Sequence, residues 1–261
     1  IQQRLFTQIN QRIPNLEAGT MIVSEEVDTI LPSSTFVSAF INWLYDQTTL
    51  GFPKATYFYE YIAHDQNHIT IEDLNTTHDI LHAYPFRSSP SQIVGVTFIN
   101  NCLIVLDPQL DPVNPYLATN IQEVSAFSHP DLILPDRIEP PSELRFALDE
   151  DVNFWWCRQF LDADLAAQFG HWDTVVQIAD SSLDAFPMDA SMGRFFTVFI
   201  EGFTHTGRIR EAVDLTVRTI AEYPETNEMM CRLWDRILNE GGGEFTGEFS
   251  PHQIRGLFSC E

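Results

Sequence analysis

Apolar residues recur along the chain with two different periods, and the period changes near the middle. In residues 1–13 they fall every three to four positions, which predicts a helix that Pro14 ends. A similar stripe predicts a second helix through Tyr45, with Ser33 or Ser34 as its N-terminal cap. Four short runs rich in β-branched and aromatic residues predict strands: 20–24, 56–62, 92–99 and 102–106.

The last two strands are predicted to pair as a hairpin, because Asn100 and Asn101 tolerate the positive φ of a tight turn. Both faces of the first hairpin strand are largely apolar, so we expect it to be internal and covered on one side by the 33–45 helix. The proline-rich stretch 107–115, which holds Asp107, Asp111 and Asn114, lacks the spacing of a calcium loop and is expected to be a rigid surface connector. A helix should follow it to about Phe127.

The strand patterns stop at a proline-rich segment, and everything after it has helical periodicity. These patterns predict an α+β protein: an α/β sheet domain over residues 1–130, a linker over 131–150, and an all-helical domain over 151–261. The linker also contains apolar side chains, so we expect it to pack against both domains instead of acting as a flexible tether.

The helical half repeats with a period of 37 residues, which separates Gly170 from Gly207 and Pro187 from Pro224. Each glycine is predicted to close one helix with a positive φ, and each proline to end the next helix. This spacing resembles the tetratricopeptide repeat. Two departures are the three extra residues per period and Val175, which stands where the family usually has a small residue.

A further match extends the repeat. The Cys157–Arg158 and Cys231–Arg232 pairs lie two periods apart, which predicts a third helix of the same type over about 227–238. The four cysteines form no C-x-x-C pair and are scattered, so we expect free and mostly buried thiols.

The composition of the chain argues against some classes of function. Acidic residues outnumber basic ones 37 to 14, giving a net charge of −23, which argues against binding nucleic acid or anionic lipid. No apolar stretch approaches the ~20 residues needed to cross a bilayer, so the chain itself is expected to be soluble. It begins at Ile1 inside a helical pattern, from which we expect it to be part of something longer.

Several phrases of the sequence resemble the soluble C-terminal region of large, uncharacterised polytopic bacterial membrane proteins whose hydrophobic N-terminal part looks glycosyltransferase-like. These phrases are IQQRLFTQINQRIPNLEAGT, AFINWLYD, CLIVLDPQLDPVNP, FIEGFTHTGRIREAVDL and CRLWDRI. The resemblance covers most of the chain but contains no catalytic signature. It implies a domain on the extracytoplasmic face of a bacterial membrane, following a transmembrane helix.

One cluster suggests metal chemistry. Two H-D-x-x-H strings place His64, His68, His78 and His82 within a short stretch, and imidazoles four residues apart on a helix can chelate zinc. The alternative is a solvated loop followed by a half-buried element. The common hydrolase, nucleotide-binding and zinc-protease motifs are absent from the sequence.

The helical half is rich in aromatic residues, most of which should form its core. A few are candidates for lining a concave interaction groove: Trp155, Phe196, Phe199 and Phe203. Nearby acidic groups would favour a basic peptide or a sugar there.

Two functions follow from different classes of protein. The first is a non-catalytic interaction or accessory module without a cofactor, tethered to a membrane in its parent and binding a protein, a peptide or a glycan acceptor. The second is a metal-dependent enzyme that uses the histidine strings, with zinc as its cofactor.

Overall fold

The protein has a mixed α+β fold, as the sequence predicts. A computed structural model describes residues 2–25, 33–46, 56–62, 77–80, 84–147, 155–187, 192–240 and 251–260. The chain forms two compact units, which are described separately below. The first consists of 1–108 with 118–153, and the second of 109–117 with 154–261.

The first unit combines a small mixed sheet with helices. Its elements in chain order are α1 (Gln2–Arg12), β1 (Met21–Glu25), α2 (Ser34–Tyr45), β2 (Phe58–Ile62), β3 (Thr77–Ile80), β4 (Tyr84–Arg87), β5 (Ile93–Ile99), β6 (Cys102–Val105) and α3 (Thr119–Ser125). The main sheet has the order β2-β1-β5-β6, while β3 and β4 pair as a separate antiparallel ribbon. Strand β1 pairs in parallel with both neighbours, and β5 pairs antiparallel with β6.

Helix α2 begins at the predicted cap. The Ser33 hydroxyl accepts a hydrogen bond from the Phe36 amide at 3.4 Å, which satisfies one of the open amides of the first turn. The buried side of α2 packs against β2, where the Ser38 hydroxyl accepts from the Tyr59 amide at 2.8 Å. Its Phe40 ring stacks on Phe6 of α1, with centroids 3.8 Å apart. The two predicted helices are therefore both present and share one core.

The predicted hairpin is confirmed. Asn100 and Asn101 have φ of 52° and 62°, and β5 lies inside the sheet between β1 and β6. The covering helix differs from the expectation, because α2 packs mainly on β2 and α3 packs on β5. Helix α3 comes close to β5 at Gly95. A Cβ at this position would lie 3.3 Å from the Val124 side chain of α3, so the absence of a side chain makes room for the helix.

The described part of the proline-rich linker runs along the first unit. Backbone hydrogen bonds join the Glu17 amide to the Leu132 carbonyl at 2.9 Å and the Leu134 amide to the Asn15 carbonyl at 3.0 Å. Ile133 forms an antiparallel bridge to Leu16 and is buried. These contacts explain why the segment carries apolar side chains.

The second unit is helical throughout its described residues from 155 onwards. It contains α4 (Trp155–Gln168), α5 (Trp172–Ser182), α6 (Gly193–His205), α7 (Ile209–Glu222), α8 (Asn227–Asn239) and α9 (Pro251–Leu257), with short 3-10 turns between some of them. Helices that are adjacent in sequence pack on each other, and α6 also contacts α4 and α8. Helix α8 coincides with the third helix that the repeated cysteine–arginine pair predicts.

Gly170 ends α4 with φ of 70°, as predicted. The Gly170 amide donates to the Ala167 carbonyl at 3.0 Å, and the next amide, of His171, donates to the Ala166 carbonyl at 2.9 Å. This pair of bonds is the Schellman motif, in which a residue with positive φ lets the last helical carbonyls find partners.

The same motif recurs at Gly207, which has φ of 78°. The Gly207 amide donates to the Thr204 carbonyl at 3.0 Å, and the Arg208 amide donates to the Phe203 carbonyl at 2.7 Å. Two helical hairpins therefore close through the same hydrogen bonds at positions 37 residues apart.

The expectation of free thiols is wrong. Cys231 on α8 forms a disulfide with Cys260, with a Cα–Cα distance of 5.4 Å, and none of the cysteines in the described residues is free. The pair is 29 residues apart in sequence, so no local spacing could reveal it. Helix α9 turns back along α8 and brings the two sulfurs together.

Candidate interaction surface of the helical unit

The proposed metal ligands fall largely outside the described residues. His64, His68 and His82 are not described, and only the backbone of His78 is, within strand β3. The helical spacing that would favour chelation does not apply to Thr77–Ile80, because this segment is extended. In the part of the chain that the structure describes, no three His, Cys, Asp or Glu side chains group as a metal site.

The aromatic residues proposed for a groove divide into two classes. Phe196, Phe199 and Phe203 lie on α6 and are buried, so they are core residues of the helical unit. Phe199 contacts the buried Phe186 ring edge-on at 5.4 Å. Trp155, at the start of α4, is 47% exposed.

Segment 109–117 is seated on α6 within the helical unit. The Arg194 side chain is 5% exposed, that of Asp111 is 0% exposed, and the Arg194 Nε donates to the two carboxylate oxygens of Asp111 at 3.0 and 3.2 Å. The Arg194 guanidinium also donates to Thr197 Oγ1 at 2.8 Å. The side-chain amide of Asn114 donates to Asp111 Oδ1 at 3.1 Å.

These contacts correct the expectation of a surface connector. Asp111 and Asn114 are fully buried, because a carboxylate can leave water when a cation and further donors surround it. The 111–113 turn also contacts α8. Segment 109–117 therefore packs on α6 and α8 as part of the helical unit.

An apolar groove with a volume of about 450 Å³ opens on the side of the helical unit where α7 faces α9. We call it the terminal groove. Its lining residues come from α7, the turn after it, the start of α8, the last residue of α9 and the two residues that follow α9: Val217, Ile220, Ala221, Pro224, Asn227, Leu257, Phe258 and Ser259. Val217 is 49% exposed and Leu257 is 54% exposed, so two large apolar side chains of the groove face solvent.

The two walls of the terminal groove are joined through α8. Trp234 is fully buried, its indole N–H donates to Thr216 Oγ1 on α7 at 3.1 Å, and its ring stacks on Phe258 at 5.9 Å. The disulfide to Cys260 and the ion pair between Arg255 and Asp235 hold α9 on the same helix. The positions of both groove walls are therefore fixed by contacts with α8.

Charged residues follow several of the lining residues in the sequence. The lining residues Ala221, Pro224 and Asn227 are each followed in sequence by an exposed glutamate: Glu222, Glu225 and Glu228. Glu225 accepts a hydrogen bond from the Tyr116 hydroxyl at 3.3 Å, and Glu228 pairs with Arg232. Arg218, which follows the lining residue Val217, is exposed as well, so charges of both signs neighbour the lining in sequence.

A second polar cluster lies at the α6–α7 turn. The His205 ring stacks on Trp172 with centroids 4.0 Å apart, and burial lowers the pKa of His205. Arg208 pairs with Asp180 and Glu211, and its hydrogen bonds lower the pKa of both carboxyl groups. These contacts tie α5 to the second hairpin.

Comparison with known proteins adds no assignment: no family model, curated protein or solved structure matches the chain. Among the described residues, no helix combines the length and apolarity that crossing a membrane requires.

Proposed function

We propose that the chain is a non-catalytic interaction or accessory module on the extracytoplasmic face of a membrane, part of a larger protein with a glycosyltransferase-like membrane part. The observation that carries the proposal is the helical hairpin that occurs twice with the same glycine turn. Repeated helical pairs build extended surfaces, and binding to other polypeptides is their usual use.

The hairpins support a tetratricopeptide-like arrangement. Helices α4, α6 and α8 contact each other in sequence order, as the first helices of stacked repeats do. The bulky Val175 in the first repeat is matched by a glycine on the facing helix, because a Cβ on Gly202 would lie 2.6 Å from the Val175 Cγ1. The departure at Val175 is thus compensated within the packing.

The disulfide supports the proposed compartment. Disulfides persist where the surroundings are oxidising, as outside the bacterial cytoplasm, and are rare in reducing ones. The Cys231–Cys260 bond holds a surface helix, so its loss would alter the terminal groove. An oxidising compartment is therefore the setting in which the helical unit is complete.

The terminal groove supports binding of a polypeptide over binding of a sugar. Most of its lining is apolar, with Asn227 and Ser259 as the polar members, whereas a sugar needs many hydrogen-bond partners. The proposal assigns the module no cofactor, and metal analysis of the purified protein tests that part of it.

The experiment places a photo-crosslinking amino acid at Val217 in the parent protein in its native membrane. We expect a discrete polypeptide adduct, which the same probe at the exposed Trp43 of the first unit should not give. Thiol blocking in intact cells, followed by a non-reducing gel, should show Cys231 oxidised. A reduced pair in the cell would contradict the extracytoplasmic location, and adducts absent from the whole helical unit would contradict the interaction function.

A further inference from the structure

We propose that the Cys231–Cys260 disulfide is a redox-sensitive latch, whose reduction by a protein dithiol releases α9 from α8 and dismantles the terminal groove. The inference goes beyond the proposed function, because it concerns the state of the groove and holds whether or not a partner binds there. It follows from the contacts that attach α9, from the backbone at the end of α9 and from the exposure of the two cysteines.

Two buried side chains anchor α9 besides the disulfide. From Gln253 to the end of the helix only Ile254 is buried, and Phe258, directly after the helix, is the second anchor. The ion pair between Arg255 and Asp235 is half-exposed on both sides, and such a pair adds little stability. A helix of seven residues is not stable by itself in water, because it forms too few hydrogen bonds to offset the ordering of its backbone. The covalent bond therefore decides how long α9 stays docked.

The end of α9 adopts a backbone conformation that serine disfavours. The Ser259 amide donates to the Gly256 carbonyl at 3.4 Å and the Cys260 amide donates to the Arg255 carbonyl at 3.1 Å, the same pattern of bonds that closes α4 and α6. In those two helices a glycine has the positive φ, whereas here Ser259 has φ of 54°. A side chain makes this conformation costly. Because the disulfide fixes Cys260 on α8, its reduction would let Ser259 leave the strained conformation.

The disulfide is open to attack by a reductant, since Cys231 and Cys260 are each only partly buried. A thiolate of a protein dithiol of the C-x-x-C class attacks one sulfur, so that the S–S bond breaks, a mixed disulfide forms and the other cysteine leaves as a thiolate. The second thiol of the reductant then displaces the cysteine from the mixed disulfide. The reductant becomes the disulfide, and its two electrons and two protons end on the thiols of Cys231 and Cys260.

Release of α9 removes one wall of the terminal groove. Leu257, Phe258 and Ser259 line the groove, and all three belong to the segment that the disulfide holds. The Phe258 ring also stacks on the fully buried Trp234, which would meet water on that side once α9 has left. The groove is thus present in the oxidised chain and lost in the reduced one.

The test is hydrogen exchange of the intact chain, measured by mass spectrometry before and after addition of reduced dithiothreitol without denaturant. We expect amides of 254–260 to exchange at least tenfold faster after reduction, while amides of α6 keep their protection. Re-oxidation with oxidised glutathione should restore slow exchange. The double variant Cys231→Ser with Cys260→Ser should exchange like the reduced chain with or without dithiothreitol, which separates the latch from any effect of reduction elsewhere.

Two substitutions of Ser259 test the contribution of the strained turn. Ser259→Gly should return part of the lost protection to the reduced chain, because glycine adopts a positive φ without a steric cost. Ser259→Ala is the matched control: it removes the hydroxyl but keeps the strain, so it should not restore protection.

Four results would overturn the inference. A disulfide that dithiothreitol reduces only in denaturant would show that the bond is inaccessible in the folded chain. Unchanged exchange of 254–260 after reduction would show that the bond does not hold α9. Loss of protection throughout α6 would show that the bond maintains the fold of the whole unit, and equal exchange of the two Ser259 variants would remove strain at the turn as a cause of release.

Discussion

Removing the carboxylate of Asp111 should unfold the helical unit at much lower denaturant concentration. The Arg194 guanidinium is 5% exposed and donates to both oxygens of that carboxylate. Asp111→Asn keeps the shape of the side chain but removes the carboxylate charge that the buried guanidinium faces. Breaking a buried pair in this way costs about 3–5 kcal/mol.

Secondary contacts set where in that range the loss falls. In the variant, the Thr197 hydroxyl still accepts a hydrogen bond from the Arg194 guanidinium. The side-chain amide of Asn114, however, no longer has a charged acceptor at position 111. We therefore expect a loss of roughly 3 kcal/mol, toward the lower end of the range. Amides of segment 109–117, such as that of Asn114, should also exchange faster with solvent, since the pair holds the segment on α6.

The assay is urea unfolding followed by circular dichroism and tryptophan fluorescence, with hydrogen exchange of 109–117 as the local measurement. A matched control is Arg232→Gln, which removes an exposed ion pair with Glu228 on α8 and should cost less than about 1 kcal/mol. The double variant Asp111→Leu with Arg194→Met should recover most of the lost stability, because it removes both buried charges.

A loss of stability in Asp111→Asn no greater than that of the surface control would contradict this prediction. That result would mean that water reaches the pair and that other contacts hold the segment on the helices. Failure of the double variant to recover stability would show that the pair is needed for packing geometry as well as for charge compensation.

Three further outcomes are expected. Replacing Cys231 and Cys260 by serine should cost about 3.5 kcal/mol, because the bond closes a loop between residues separated by 29 positions; calorimetry with an unchanged melting temperature would refute this. Gly207→Ala should cost roughly 1 kcal/mol through backbone strain alone, since a Cβ there meets no atom within 4 Å; equal stability would contradict the turn assignment. Burial raises the pKa of Glu60 to about 7, above its value in the unfolded chain, so its contribution to stability is fully present below about pH 4.5 and is lost as pH rises through 7. Glu60→Gln should therefore flatten that part of the pH profile in denaturant titrations, and an unchanged profile would count against the raised pKa.

The sequence alone determined the features whose chemistry is complete within a few residues. Ser33 lies three residues before the amide it caps, Asn100 and Asn101 form the whole hairpin turn, and Gly170 and Gly207 supply the positive φ that closes their own helices. Each of these residues acts on its neighbours in the chain. Their effects, together with the period of the apolar residues, therefore predicted the α+β class and the helical hairpins.

Tertiary structure alone decided the features that depend on partners far apart in sequence. The sequence pattern around Asp111 is typical of an exposed loop. In the structure Asp111 is buried, because Arg194, 83 residues away, provides its counter-ion. Cys260 reads as a free thiol until α9 places it beside Cys231. The terminal groove likewise exists only because α7 and α9, each an ordinary amphipathic helix, are held on the same buried tryptophan. Burial, charge compensation and cavity shape depend on which residues surround a side chain in space. The order of residues along the chain does not show which distant residues these are.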